Sequence, residues 1–156
     1  MTIVGAHHTA FHVADLDRSV AFYRDLFGFE VVWARLNQDD YVRRIVGYPT
    51  ADLNQAMLRA PGGEGAHHLE LIEYRGVPRT AVDTSPPNPG TAHICLLVTG
   101  LRAEFDRLVA SGVRAVSPEP IEVVAGANLG RLAVYMIDPD GFRIELLSVG
   151  PEAGLP

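Results

Sequence analysis

Apolar and polar positions alternate near the start of the chain. Thr9, Phe11 and Val13 fall on one face of an extended segment, and His8, Ala10 and His12 fall on the other. The pattern predicts a strand over residues 3–13. The period then changes. Leu16, Val20, Tyr23 and Phe27 recur at helical spacing behind Asp15, a side chain suited to cap a helix, and Gly28 supplies the stop. Residues 30–34, 56–60 and 68–74 read as three further strands. The second half follows the same order. A strand is expected over 92–98, a helix over 101–110 ended by Gly112, and short strands near Val113 and over 131–137 and 142–149. Asp138-Pro139-Asp140-Gly141 is a turn sequence that joins the last two as a hairpin. Each half is therefore predicted as β-α-β-β-β, an α+β class of fold.

The halves also share residues. His8, Val13 and Leu16 each have a counterpart 85 positions on, at His93, Val98 and Leu101. The correspondence continues with Val20 against Phe105 and Tyr23 against Leu108. Each half closes on a carboxylate between aliphatic residues, Leu69-Glu70-Leu71 and Ile144-Glu145-Leu146. Two modules that open on His and close on Glu describe a paired scaffold able to direct four ligands at one metal ion.

Module 1 is placed at about residues 1–75 and module 2 at about 91–150, with a short tail at 151–156, all within one domain. The stretch 76–90, with Pro78, Pro86, Pro87 and Pro89, is the linker. Residues 35–54 have no counterpart in the second half. Tyr41, Arg43, Arg44 and Tyr48 make them a candidate substrate-facing insertion, the alternative being a plain surface excursion.

Composition narrows the function classes. A chain of 156 residues, 47% apolar, can bury a real core. A net charge of −6 without a basic run argues against nucleic acid as partner. No apolar stretch is long enough for a bilayer, and the N-terminal residues lack the pattern of a signal peptide, so a cytoplasmic protein without a membrane partner is expected. A single cysteine, Cys95, excludes an internal disulfide framework and fits a reducing compartment. The chain contains no lysine, which excludes Schiff-base chemistry and lysine-held pyridoxal phosphate. There is no Gly-x-Ser-x-Gly elbow and no phosphate loop. Gly126-Ala127-Asn128-Leu129-Gly130 has the wrong spacing for a phosphate cradle and reads as an ordinary loop.

Two segments carry a family resemblance. Asp15-Leu16-Asp17-Arg18-Ser19-Val20-Ala21-Phe22-Tyr23-Arg24-Asp25-Leu26-Phe27-Gly28-Phe29 resembles the first-module signature of the vicinal oxygen chelate superfamily. Tyr135-Met136-Ile137-Asp138-Pro139-Asp140-Gly141-Phe142-Arg143-Ile144-Glu145-Leu146 resembles the end of its second module. That superfamily includes glyoxalase I, methylmalonyl-CoA epimerase, extradiol dioxygenases, and fosfomycin and bleomycin resistance proteins. The resemblance implies an open, barrel-like cup with a metal inside. It places the ligands at His8, Glu70, His93 and Glu145. Imidazole and carboxylate donors suit a divalent ion such as Zn, Ni, Co, Mn or Fe. Such an ion would chelate two vicinal substrate oxygens and stabilise an enolate or enediolate.

Taken singly, a strand His or Glu is ordinarily a solvated side chain. Glu70 and Glu145, however, each sit inside apolar strands, where an unpaired carboxylate is expensive to bury. His68 shares the strand face of Glu70 and competes with it as a ligand. His12 shares the face of His8, either as an acid–base or supporting group or as a satisfied interior polar side chain. His7 and His67 are expected to point the other way. Cys95 is on the face of His93 and is expected to be a small buried hydrophobe. Arg43, Arg44, Arg131 and Tyr41 are candidate substrate contacts, the arginines for an anionic group.

The full His/Glu/His/Glu set most resembles glyoxalase I, with methylmalonyl-CoA epimerase close behind. The resemblance therefore implies a metal-dependent isomerase or lyase with a small-molecule substrate, in which Glu145, or Glu70 on the mirror-related side, moves the proton. A homodimer is expected, and the superfamily builds its site either within one chain or across a dimer. The alternative is a small-molecule binding or antibiotic-resistance protein. Fosfomycin-modifying members use two His and one Glu, which His8, His93 and Glu145 would supply. Extradiol enzymes place a ligand His shortly before the aliphatic-Tyr pair, here Val134-Tyr135, where this chain reads Gly126-Ala127-Asn128. That departure counts against ring cleavage, although His68 or His12 offers a third nitrogen.

Overall fold

The computed structural model describes residues 2–151, and the chain divides into two units, Met1–Ala81 and Val82–Pro156. The division falls in the Pro-rich segment. In the first unit the elements run β1 (Thr9–His12), α1 (Leu16–Ala21), a π-helical turn (Phe22–Leu26), β2 (Glu30–Asn37), α2 (Asp40–Val46), β3 (Asp52–Arg59) and β4 (His68–Arg75). The sheet order is β1-β4-β3-β2, with β1 parallel to β4 and the other pairs antiparallel. The second unit contains β5 (His93–Val98), α3 (Leu101–Ala110), β6 (Arg114–Ala115), β7 (Ile121–Glu122), β8 (Arg131–Ile137) and β9 (Arg143–Pro151). Its order is β5-β9-β8-β6, with β7 also on β8 and β5 parallel to β9.

Period-two alternation decides what each sheet buries. In the first unit Phe11, Leu58, Leu69 and Leu71 are buried, as are Leu16 and Tyr23 of the helical segment, and α1 packs on β3 and β4. In the second, Leu101, Phe105 and Leu108 recur along α3, which packs on β9, and they are buried with Ile144 and Leu146. Each such side chain contributes about 1.5–3 kcal/mol when removed from water. The opposite faces carry the polar residues that concern function.

Several expectations need correction. The first strand covers only Thr9–His12 and not residues 3–13. A strand needs a partner, and the register with β4 begins at Thr9↔Leu69. Ile3 and Val4 are 92% and 100% exposed. The first helix does not run regularly to Phe27. Asp15 caps it, accepting the Arg18 backbone N–H at 2.9 Å, but from Phe22 the turns widen to the π form. Tyr23 is fully buried there, against Phe22, Phe27 and Phe29. The chain then leaves the helix through Gly28, at φ 70°.

Only part of 35–54 is an excursion, since β2 runs to Asn37 and β3 starts at Asp52. Between them lies α2, which buries none of its residues. The strand near Val113 forms at Arg114–Ala115, and β7 was not expected at all. The last strand begins at Arg143 and reaches Pro151, so the tail assigned to 151–156 starts inside β9 and its remainder lies outside the described residues. Asp138-Pro139-Asp140-Gly141 does join β8 to β9. Asp138 is 1% exposed and its Oδ1 accepts the N–H groups of Asp140 at 2.9 Å and Phe142 at 2.8 Å. No helix among the described residues is long and apolar enough to cross a membrane.

Candidate functional site

In the first unit the parallel register of β1 and β4 sets Ala10 beside Glu70. His8 lies one residue before β1, and its Nε2 is 3.1 Å from Glu70 Oε2. The other oxygen, Oε1, accepts an N–H from Gln55 Nε2 on β3 at 3.1 Å. Glu70 is only 8% exposed, so both contacts offset the cost of burying its carboxylate.

The remaining imidazoles gather around His8 in part. His7 is exposed as a residue, but its ring turns back to His8 rather than away, Nδ1 to Nδ1 at 2.8 Å, and stacks on His68 at 6.4 Å. His68, on the strand face of Glu70, makes this stacking contact with His7. His67 is exposed and bonded to Thr9 Oγ1 at 3.0 Å. His12 meets Tyr74 edge-on at 5.3 Å, and Tyr74 meets Tyr48. Burial, then the neighbouring Tyr48 and Glu70, raise the Tyr74 phenol above its ordinary range.

The second unit repeats the arrangement with different neighbours. The β5–β9 register sets Cys95 beside Glu145 and His93 beside Arg143. His93 Nε2 lies 3.2 Å from Glu145 Oε2, and the Tyr135 hydroxyl donates to that same oxygen at 3.4 Å. The His93 and Tyr135 rings meet edge-on at 5.5 Å. The Tyr135 phenol is raised by burial and by the Glu145 charge. Cys95 is an exposed residue, not a buried hydrophobe, because it sits on the polar face of an edge strand. Its thiol is nevertheless partly screened from water and lies against Glu145, which together push it up to about 11.

Each unit thus brings one His and one Glu together. Among the described residues no group of three or more His, Cys, Asp or Glu side chains forms a metal cage. The candidate substrate contacts lie on α2 and at the start of β8. Arg43 is held by Asp52 at 2.8 Å, Asp40 at 3.3 Å and the Ala51 carbonyl at 3.1 Å, which ties α2 to the start of β3. Tyr41 and Arg44 are exposed on α2, and Arg131 is half-buried at the start of β8.

Four residues escaped the sequence reading: Gln55, Tyr135, Arg143 and Arg35. The last lies 5.0 Å over the Trp33 ring and pairs in register with Gln55. Tyr135 and Arg143 were readable in principle, since counting outward from the Asp138–Gly141 turn sets Tyr135 opposite Glu145. Gln55 and Arg35 had no such signal.

Two mixed sheets of matched topology, each with a parallel pair that carries a His/Glu couple, define a two-module scaffold of one known class. The chain belongs to the Glyoxalase/Bleomycin resistance protein/Dioxygenase superfamily, whose family model matches residues 5–146. It is similar to a 2-epi-5-epi-valiolone epimerase of an Actinomyces species, 29% identical over 98% of this chain and 82% of that protein. It is also similar to the lactoylglutathione lyase of Haemophilus influenzae, 29% identical over 90% of this chain and 89% of that one. The lactoylglutathione lyases of Oryza sativa and Arabidopsis thaliana that it matches are longer, and it spans 43% and 44% of them. Among solved structures, a glyoxalase family protein of Bacillus cereus shares the fold with a TM-score of 0.79 at 21% identity, covering 95% of each chain.

Proposed function

We propose that the His8/Glu70 and His93/Glu145 pairs are the two halves of one divalent-metal site, and that the protein is an isomerase or lyase of the glyoxalase I or epimerase type. The observation that carries this is the duplicated geometry. Two separate sheets each bring a His Nε2 within 3.1 or 3.2 Å of a Glu Oε2, from equivalent positions in a parallel strand pair. Nitrogen and oxygen donors in this mixture fit Zn, Ni, Co, Mn or Fe. The similarity to a lyase and an epimerase supports the reaction class. The working assembly is a homodimer, and the reading holds whether the halves come from one chain or from two.

His8, Glu70, His93 and Glu145 would hold the divalent ion, which would supply the Lewis acidity that makes a C–H beside vicinal substrate oxygens acidic. The chain's own residues move the proton. Glu145 is the base, because its side chain is more open than that of Glu70, 21% against 11% exposed, and it lacks the amide clamp that Gln55 places on Glu70. Its Oε2 takes the proton from one carbon and returns it to the next, which needs no further reactant. Glu70 serves as the fixed carboxylate on the mirror-related side. His12, on the His8 face, is the imidazole available for a second proton exchange with solvent or substrate oxygen. Tyr41, Arg44 and Arg131 remain proposed substrate contacts, whereas Arg43 is proposed to hold the insertion through Asp52.

Metal content per chain, measured by plasma mass spectrometry on protein purified without chelator or affinity-resin metal, tests the site. About one divalent ion per chain is expected, with loss of retention in both His8→Ala and His93→Ala. Protein that holds no metal and takes none up on reconstitution overturns the reading. Loaded protein is then screened with 2-oxoaldehyde–thiol adducts and with epimerisable ketones.

A further inference from the structure

We infer that Arg143 is an anchor for a substrate carboxylate beside the His93/Glu145 pair. The inference rests on the proposed role of that pair and names the class of substrate it serves: a small acid whose carboxylate lies a few bonds from the two vicinal oxygens.

Arg143 is placed for this by register. It pairs with His93 across β5–β9, and it precedes Glu145 by two residues on the same strand, so all three share one face of the sheet. Adjacent strands are about 4.8 Å apart and alternate residues about 7 Å apart, which puts the guanidinium within side-chain reach of anything held by His93 and Glu145.

The hydrogen bonds of Arg143 leave one edge unused. Nη1 donates to the Gly141 carbonyl at 3.1 Å, which fixes the group against the hairpin turn. Among the described residues no carboxylate pairs with it, and Glu145 turns its Oε2 to His93 and Tyr135. Nε is buried with no acceptor at all. A buried N–H without a partner is rare and needs an explanation. The free edge, Nε together with Nη2, is the fork that accepts both oxygens of a carboxylate side-on. Arg143 is half-buried as a residue and its Nε is covered, so the fork forms only as the side chain turns to a carboxylate that enters at Nη2.

The equivalent position in the first unit carries no such group. His68, which precedes Glu70 by two residues, stacks on His7. The two half-sites therefore differ in charge, and the substrate is held with its acid end toward β9.

Calorimetry with two hydroxamates on the metal-loaded full chain tests the inference without turnover. Acetohydroxamate offers two adjacent oxygens and an uncharged arm, whereas N-hydroxysuccinamate adds a carboxylate. Wild-type protein is expected to bind the second at least tenfold more tightly, as a charge-assisted pair requires. Arg143→Gln and Arg143→Lys both lose most of this preference with acetohydroxamate affinity unchanged, and Arg114→Gln keeps it. A wild type without preference, or a preference that survives both Arg143 variants, overturns the inference. Binding of both compounds that is indifferent to metal sinks the chelation reading instead. The same comparison of wild type with Arg143→Gln on metal-free protein then decides the role of Arg143.

Discussion

Gln55 and His8 divide the carboxylate of Glu70 between them: the amide N–H of Gln55 is 3.1 Å from Oε1, and Nε2 of His8 is 3.1 Å from Oε2. One oxygen is thereby committed to Gln55 and the other faces His8, where the metal is proposed. Side chains that orient a ligand in this way typically govern metal affinity by about 10–100-fold. Gln55→Leu is expected to weaken metal binding by that order, measured by competition with a chromophoric chelator. Gln55→Glu places a like charge beside Glu70 and is expected to weaken it further. Unchanged affinity in both variants would remove Gln55 from the site.

Glu145→Gln keeps the size of the side chain and one oxygen donor but cannot hold a proton in transit. Turnover on whichever substrate the screen identifies is expected to fall by about 10²–10⁴-fold. Glu70→Gln is expected to lower metal content more than the turnover per bound metal. A Glu145→Gln protein that holds metal and turns over normally assigns the base elsewhere.

Cys95 is exposed yet has a thiol pushed up to about 11 by partial burial and by the Glu145 charge. Its alkylation by iodoacetamide on metal-free protein is therefore expected to be slow at pH 7 and to rise about tenfold per pH unit until near pH 11, since only the thiolate reacts. Glu145→Gln removes the negative charge, lowers the thiol pKa and speeds labelling at pH 8.5. Identical rates in the two proteins would contradict the contact between Cys95 and Glu145.

Glu73 faces away from the site and holds the first unit together. Its Oε2 accepts from Arg75 at 2.9 Å, Asn54 at 3.0 Å and the Leu16 backbone N–H at 3.5 Å. The Arg75 contact, foremost, draws its carboxyl below the usual glutamate range. A group with a lowered folded pKa stabilises fully above its unfolded value, near 4.3, and loses that contribution as pH falls through the folded value. Glu73→Gln is expected to cost about 1–2 kcal/mol at pH 7 and less below pH 4, followed by urea unfolding across that range.

Asp138 organises the β8–β9 turn through two backbone N–H groups while almost fully buried. Asp138→Ala leaves both without their acceptor. A loss of about 2–3 kcal/mol is expected in chemical denaturation. Asp138→Asn, which keeps an oxygen in place, recovers much of it.

Much of this protein was legible before any folding. The change from period two to helical period at Asp15, the 85-residue repeat and the Asp-Pro-Asp-Gly turn identified both modules, and α3 runs over the residues its spacing predicts. The repeat and the family signatures also singled out His8, Glu70, His93 and Glu145, which the fold pairs as one His and one Glu in each unit. These signals are local or duplicated, so a linear reading captures them.

What a linear reading missed depends on contacts between segments distant in the chain. Ile3 and Val4 look like strand residues but have no partner strand, so β1 starts only at Thr9. Arg43 stands in the insertion, and only the fold brings Asp52 to it. Gln55 is unremarkable in sequence until β3 pairs with β4 and delivers its amide to Glu70.

The sequence by itself determined the family and which residues are candidates for the chemistry, because side-chain identity and backbone periodicity are written residue by residue. Only the tertiary structure decided what each of them touches. Strand register sets those neighbours, and register is fixed by the packing of whole sheets rather than by any one segment. It separates the amide-clamped carboxylate of Glu70 from the more open one of Glu145, and it sets Arg143 beside His93 where the first unit has His68 stacked on His7.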